Sequence, residues 1–268
     1  MISPMRKLET IILLIFFICP RLFAQEDAFK LDFKKDAALL GAGLVLTGSD
    51  LVLDDLLEVN RSEYDGRAYD KSDVNAFDRF FMRGYSSGMH AVSTLTLASL
   101  MVSPAVLLPL SDRSFWSTEI VMYAETMLIA NGIKELTKLC VDRTRPYMYY
   151  DLSDAPEDKI EEGDFANSFM SGHSTMAFAS ASFLSYTFWK LFPESSLKIP
   201  VAAGSFSVAA LTAVLRVLGG NHFATDVITG AVVGSSVGFL VPFLHTLGNG
   251  RGVQVSPSAS GVSFVIRL

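Results

Sequence analysis

Apolar and polar positions in this chain fall in long blocks rather than in residue-by-residue alternation. A nine-residue apolar run at 11–19 precedes six longer ones at residues 37–53, 90–110, 116–139, 173–191, 199–218 and 226–247, each 17 to 24 residues. These blocks are rich in Ala, Leu and Val and exceed the length of any ordinary strand, so the pattern predicts helices. A polar stretch rich in charge and aromatics, residues 54–88, separates the first two long blocks, and an acidic stretch at 151–164 reads as a solvated loop. Residues 253–268 alternate around Ser-Pro-Ser-Ala-Ser-Gly, which predicts a short hairpin. The expected fold class is therefore all-α: an up-down bundle of about six apolar helices over residues 25–250, then a C-terminal β-hairpin tail at 251–268.

The first apolar run follows Arg6 and Lys7, stops at Pro20-Arg21 and is succeeded by Leu22-Phe23-Ala24. Nine apolar residues are too few to span a bilayer but suit an export signal, so residues 1–24 are expected to be a signal peptide. Its removal would take Cys19 with it and leave Cys140 as the sole thiol, with no internal disulfide. Mean hydropathy is +0.36, with 50% apolar and 19% charged residues, which favours a membrane-embedded bundle over a soluble periplasmic one. Blocks 199–218 and 226–247 are apolar enough to span. Block 116–139 carries Glu119, Glu125, Lys134, Glu135 and Lys138, groups that in lipid must face a cavity or a partner. The apolar fraction and the net charge of −6 exclude a disordered or nucleic-acid-binding chain. Any affinity for an anion must come from a local cluster of cations.

Three blocks supply that cluster. Lys138 stands seven residues before Arg145-Pro146; Ser168-Phe-Met-Ser171-Gly172-His173-Ser174 follows the acidic loop; and Arg216-Val-Leu-Gly-Gly-Asn-His222-Phe-Ala-Thr-Asp226 joins the last two apolar blocks. In an up-down bundle with short turns the helix ends bearing these blocks lie together. Lys138, Arg145 and Arg216 would bind a multiply charged oxyanion, the arginines through planar two-pronged contacts. Ser171 and Gly172 open a helix whose unpaired N–H groups attract phosphate. Asp226 lies one helical turn after His222 and could hold the imidazole in one tautomer, leaving the other nitrogen to attack. His173 would then protonate the leaving oxygen. His90 and His245 fall outside the blocks and read as structural; Arg143 and Lys134 add positive field, Glu125 reads as a helix–helix contact, and Cys140 as inert. The four histidines never fall at ligand spacing, and neither a calcium loop nor a nucleotide loop is present, so no metal or cofactor is expected.

The constellation resembles the type 2 phosphatidic acid phosphatase superfamily, which includes membrane lipid phosphatases, soluble bacterial acid phosphatases and vanadium-dependent haloperoxidases. The resemblance covers roughly residues 131–234. It implies a metal-independent reaction through a phosphohistidine on His222, with Asp226 orienting it, His173 as general acid, and Lys138, Arg145, Ser171, Gly172 and Arg216 gripping the phosphate. Met170 stands where the family usually has proline, and Leu215 where it usually has serine. Apolar helices beside such a pocket point to a lipid phosphate or pyrophosphate as substrate, with the membrane as the other partner and no obligate protein partner. The expected location is a bacterial cell envelope with the site facing the periplasm. The alternatives are a soluble periplasmic acid phosphatase of broad specificity, a vanadate-holding haloperoxidase, and a silent phosphate-binding membrane protein.

Overall fold

The computed structural model describes residues 28–57, 64–161, 163–247, 253–258 and 261–266; the expected signal peptide lies outside these residues. Its helices in chain order are α1 Phe33–Leu57, α2 Ala76–Phe81, α3 Ser87–Val102, α4 Arg113–Cys140, α5 Glu157–Glu161, α6 Gly172–Leu191, α7 Lys198–Leu218 and α8 Ala224–Thr246. Six of them answer to the six apolar blocks. The expected third-block start at residue 116 moves back to Arg113 because Asp112 caps α4, its carboxylate accepting from the Ser114 N–H at 2.8 Å. Pro104 tightens the end of α3 into a 3-10 segment, Ser103–Leu110. The polar stretch at 54–88 is more than loop, since it contains α2, capped by Asn75. Past α8, Val253–Ser258 (β1) and Gly261–Ile266 (β2) pair antiparallel, with Val253 opposite Ile266.

Helix α6 runs through the middle and packs against α3, α4, α7 and α8. Its small residues make this possible: Ala177, Ala179 and Ala181 are fully buried. On α8, glycines recur every fourth residue at 230, 234 and 238, the small-residue stripe that lets two backbones approach. A Cβ on Gly230 would stand 2.7 Å from the Ser171 carbonyl oxygen, and one on Gly234 or Gly238 would collide with the carbonyls of Thr175 or Ala179. Side-chain hydroxyls knit the same interface, Ser174 Oγ donating to the Val227 carbonyl at 2.7 Å and Ser182 Oγ to the Ser235 carbonyl at 3.0 Å. At the far end Phe183, Phe188, Leu191 and Phe192 pack with Phe29, Leu107, Phe115 and Met122.

Among the described residues three helical stretches are long and apolar enough to cross a membrane: the two expected ones, Lys198–Leu218 and Ala224–Thr246, and Ser87–Leu110. They leave apolar side chains outward, among them Leu95, Ile199, Val214, Val232 and Leu240. The other three differ for visible reasons. Helix α4 carries Glu119, Glu125, Lys134, Glu135 and Lys138 along its length, α1 has Lys34, Lys35 and Asp36 in its first turn, and α6 is threaded with Ser and Thr. The protein is a helical membrane protein in which α6 is shielded by its neighbours.

Candidate active site

The ends of α4 and α7 and the beginnings of α6 and α8 come together. Two backbone bonds tie the segments: Ser171 N–H donates to the Asp226 carbonyl at 3.2 Å, and Tyr147 N–H to the Gly220 carbonyl at 3.1 Å. Gly220 needs its φ of +69°, and it has no room for a side chain, because a Cβ there would lie 2.6 Å from the Arg83 carbonyl oxygen. That turn delivers His222 to the interior, 2% exposed.

His222 Nδ1 lies 2.7 Å from the Ser168 carbonyl oxygen, which can only accept, so Nδ1 carries the proton. On the other side Arg145 Nη1, which can only donate, stands 3.3 Å from Nε2. Both neighbours therefore select the same tautomer, with the lone pair on Nε2. Burial lowers the His222 pKa well below its ordinary value, and the charges of Arg145, Arg216 and Lys138 lower it further against the Ser168 hydrogen bond. The imidazole is therefore held in its neutral form.

The expected Asp226–His222 bond is not made: Asp226 Oδ2 is 3.8 Å from Nδ1. Asp226 is instead the third residue of α8 and its carboxylate turns back to cap the helix, accepting from Phe223 N–H at 2.8 Å. The same oxygen accepts from Ser168 Oγ at 2.6 Å, and the other one accepts from Arg143. Asp226 thus holds Ser168, and the Ser168 carbonyl holds His222.

Arg145 is pinned by Asp164, donating from Nη2 to Oδ1 at 2.8 Å and from Nε to the main-chain carbonyl at 2.9 Å, and by the Asn221 carbonyl at 3.1 Å. Arg216 is 3% exposed and donates from Nη1 to His90 Nδ1 at 2.8 Å; its buried Nε makes no hydrogen bond among the described residues. Ser171 caps α6, its Oγ accepting from Ser174 N–H, and Gly172 is the first helical residue, packed against the Lys134 side chain. His173 Nε2 sits 3.2 Å from Thr94 Oγ1 of α3, and its ring centre 6.2 Å from that of His90. Lys138 Nζ lies 3.3 Å from Glu135, and its charge bears on both Arg145 and His222. A cavity of about 140 Å³ opens on this arrangement, with Tyr85, His90, Arg145, Tyr147, Arg216 and Asn221 in its walls.

The site includes residues that the sequence reading left out, His90 and Asp78, and gives a larger part to Arg143, which was expected only to add positive field. His90, expected to be structural, holds Arg216 and lines the cavity. Arg143 spans two buried carboxylates, Asp226 and Asp78, the latter at 2.7 Å. Burial would raise the Asp78 pKa, but hydrogen bonds from Asn75, Thr225 and Arg143 together outweigh it and keep the group ionised. A cation two residues before Arg145 was the only signal for Arg143, and Asp78 lies in the polar stretch where no motif marks it.

Residues 119–247 match the PAP2 superfamily. The chain is 32% identical over 117 residues to a PA-phosphatase related-family protein of Dictyostelium discoideum, covering 41% of this chain and 42% of that one. It is 30% identical over 125 residues to a lipid A 1-phosphatase of Porphyromonas gingivalis, covering 47% of this chain and 23% of that one. The matched part thus spans less than half the length of either relative. Among solved structures, a transmembrane PAP2 type phosphatidylglycerolphosphate phosphatase from Bacillus subtilis superposes with a TM-score of 0.47 at 22% identity, covering 77% of this chain and 94% of that one.

Proposed function

We propose that this chain, whose residues 119–247 match the PAP2 superfamily, is a metal-independent phosphatase of that superfamily that hydrolyses a lipid phosphate monoester or pyrophosphate through a phosphohistidine on His222. The observation that carries this reading is the tautomer of His222: Nδ1 bonded to the Ser168 carbonyl and Nε2 turned to the Arg145 guanidinium. The substrate phosphate takes the Arg145 Nη1 donor that faces His222 and the spare Nε of Arg216, with the α6 N-terminus and Lys138 adding charge. Engaging Nη1 releases the Nε2 lone pair, while Asp164 keeps the rest of the guanidinium in place.

Nε2 attacks phosphorus as the P–O bond to the leaving group breaks. His173, whose pKa is lowered to about 2 by burial and by the charges of Arg216, His222, His90 and Arg145, takes the proton that the phosphate monoanion brings and passes it to the departing oxygen. The phosphoimidazolium keeps its Nδ1–H on the Ser168 carbonyl. Water then attacks phosphorus, its proton passing to His173, and the P–N bond breaks to restore neutral His222. The products are inorganic phosphate and, from a monoester, the alcohol or, from a pyrophosphate, the lipid monophosphate.

A lipid substrate is favoured by an apolar groove of about 500 Å³ between α7 and α8. Its wall includes Val217, Leu218 and Ala224, which flank the loop bearing His222. A headgroup in the cationic cavity leaves an acyl or prenyl tail within reach of that groove. We place the protein in a bacterial cell envelope with its site on the periplasmic side. Purified protein in detergent, with excess chelator, should release phosphate from a panel containing phosphatidate, phosphatidylglycerophosphate, a prenyl pyrophosphate and lipid A. Release from water-soluble esters with none of these lipids cleaved would rule out the lipid assignment.

A further inference from the structure

Far from this site, three side chains from three helices converge in the interior: Asp36 in the first turn of α1, Glu125 midway along α4 and His245 in the last turn of α8. His245 Nε2 lies 3.1 Å from Asp36 Oδ1 and 3.3 Å from Glu125 Oε2. Glu125 and His245 are 0% and 1% exposed, and Asp36 8%. A charge so deeply removed from water is costly unless a cation or a full set of hydrogen bonds compensates it.

The details favour a cation. His245 Nδ1 is 2.9 Å from the Val241 carbonyl one turn back on its own helix. In a neutral imidazole that carbonyl takes the Nδ1 proton, so Nε2 presents a lone pair toward two carboxylates. Neither oxygen of Glu125 makes a hydrogen bond among the described residues, although Oε2 faces Nε2. The spacing also fits, since oxygen and nitrogen ligands about 2.0–2.2 Å from a tetrahedral zinc ion stand roughly 3.3–3.5 Å apart. Lys35 Nζ lies at the rim, 3.8 Å from Asp36 Oδ1 and donating to the Lys30 carbonyl at 2.9 Å. It pairs directly with Asp36 and reaches Glu125 only through its field, so one positive charge faces two carboxylates.

We propose that Asp36, Glu125 and His245 bind a divalent transition-metal ion of zinc type, with the Val241 carbonyl orienting the imidazole from behind. One imidazole and two carboxylates suit zinc and its neighbours better than magnesium or calcium, which take all-oxygen sets. The ion clasps α1 and the chain before it to the bundle. Lys30 N–H already donates to the His245 carbonyl at 3.0 Å there. His245 is nineteen residues along α8 from Asp226, about 28 Å at 1.5 Å per residue, so the ion takes no part in the phosphate chemistry.

The test reads the metal itself. The full chain in detergent is stripped with chelator, the chelator is removed, and Zn²⁺ or Co²⁺ is titrated in. Elemental analysis should find one Zn²⁺ per chain, thermal unfolding should shift upward, and Co²⁺ should give the intense visible absorption of a low-coordinate site. His245→Asn and Glu125→Gln should weaken uptake by more than about a hundredfold, beyond the effect usual for removing an outer-sphere partner. Uptake equal to wild type in either variant would overturn the proposal. Should both variants fail to fold, the wild type decides alone: a folded protein showing no Co²⁺ absorption and no stoichiometric Zn²⁺ would overturn it too.

Discussion

Ser168 stands between Asp226 and His222, giving its hydroxyl to the carboxylate at 2.6 Å and its carbonyl to the imidazole at 2.7 Å. The carboxylate therefore reaches the imidazole through a serine rather than by touching it, and under the proposed mechanism this is how it orients the nucleophile. Ser168→Ala removes the hydroxyl link and leaves the carbonyl. A buried hydrogen bond to a charged group contributes about 1.5–3 kcal/mol, so kcat should fall roughly 10- to 150-fold with KM little changed. Steady-state kinetics on a phosphate ester check this, and a kcat equal to wild type would mean that Asp226 acts without Ser168.

Arg143 neutralises two buried carboxylates, Asp78 and Asp226. Arg143→Met would strand both, and breaking a buried pair costs about 3–5 kcal/mol; with 23% of the Arg143 side chain exposed, the lower end applies. Thermal unfolding in detergent should show a clear loss of stability, partly recovered by Arg143→Lys. An unchanged midpoint would show that the bridge is not a stabilising element.

Much of this was legible in the chain. Long apolar blocks announced the helices, and the three motifs announced which helix ends meet, because helix length and up-down order leave little freedom. Contacts set by competition were not legible. One-turn spacing of His222 and Asp226 suggests a direct bond, but the Asp226 carboxylate is drawn to the free Phe223 N–H at the start of α8. The Ser168 carbonyl that takes its place comes from 54 residues upstream. His90 and Asp78 lie in or beside a polar stretch with no periodicity to place them. Hydropathy picked out two of the three membrane-length apolar stretches and left Ser87–Leu110 unmarked, while α6 is apolar enough to be buried yet is wrapped by protein.

The pH profile follows from the nucleophile. His222 is held neutral well below its ordinary pKa by burial and by Arg145, Arg216 and Lys138. Lowering the pH through the ordinary histidine value of about 6.5 should therefore not protonate it. The His222 limb of kcat/KM should lie well below the ordinary histidine value of about 6.5. Replacing Arg216 by Met removes one of the cations, so any residual activity should show that limb moved upward. A wild-type rate falling tenfold per pH unit below about 6.5 would contradict this account.

His173 is expected to matter in proportion to the leaving group's need for a proton. General acid help contributes about a hundredfold to ten-thousandfold. His173→Ala should lose roughly that much on an alkyl phosphate and far less on nitrophenyl phosphate, while vanadate inhibition persists through Arg145 and Arg216. Equal losses on both substrates would assign His173 to binding or structure.

The central claim is the covalent intermediate on His222, and it is tested by trapping. Wild-type protein mixed with labelled substrate and quenched within a turnover should carry phosphate that is stable to base and labile to acid, mapping to His222. His222→Ala should carry none and turn over no substrate. A phosphoenzyme of wild-type yield in His222→Ala, or acid-stable label on another residue, would contradict the account.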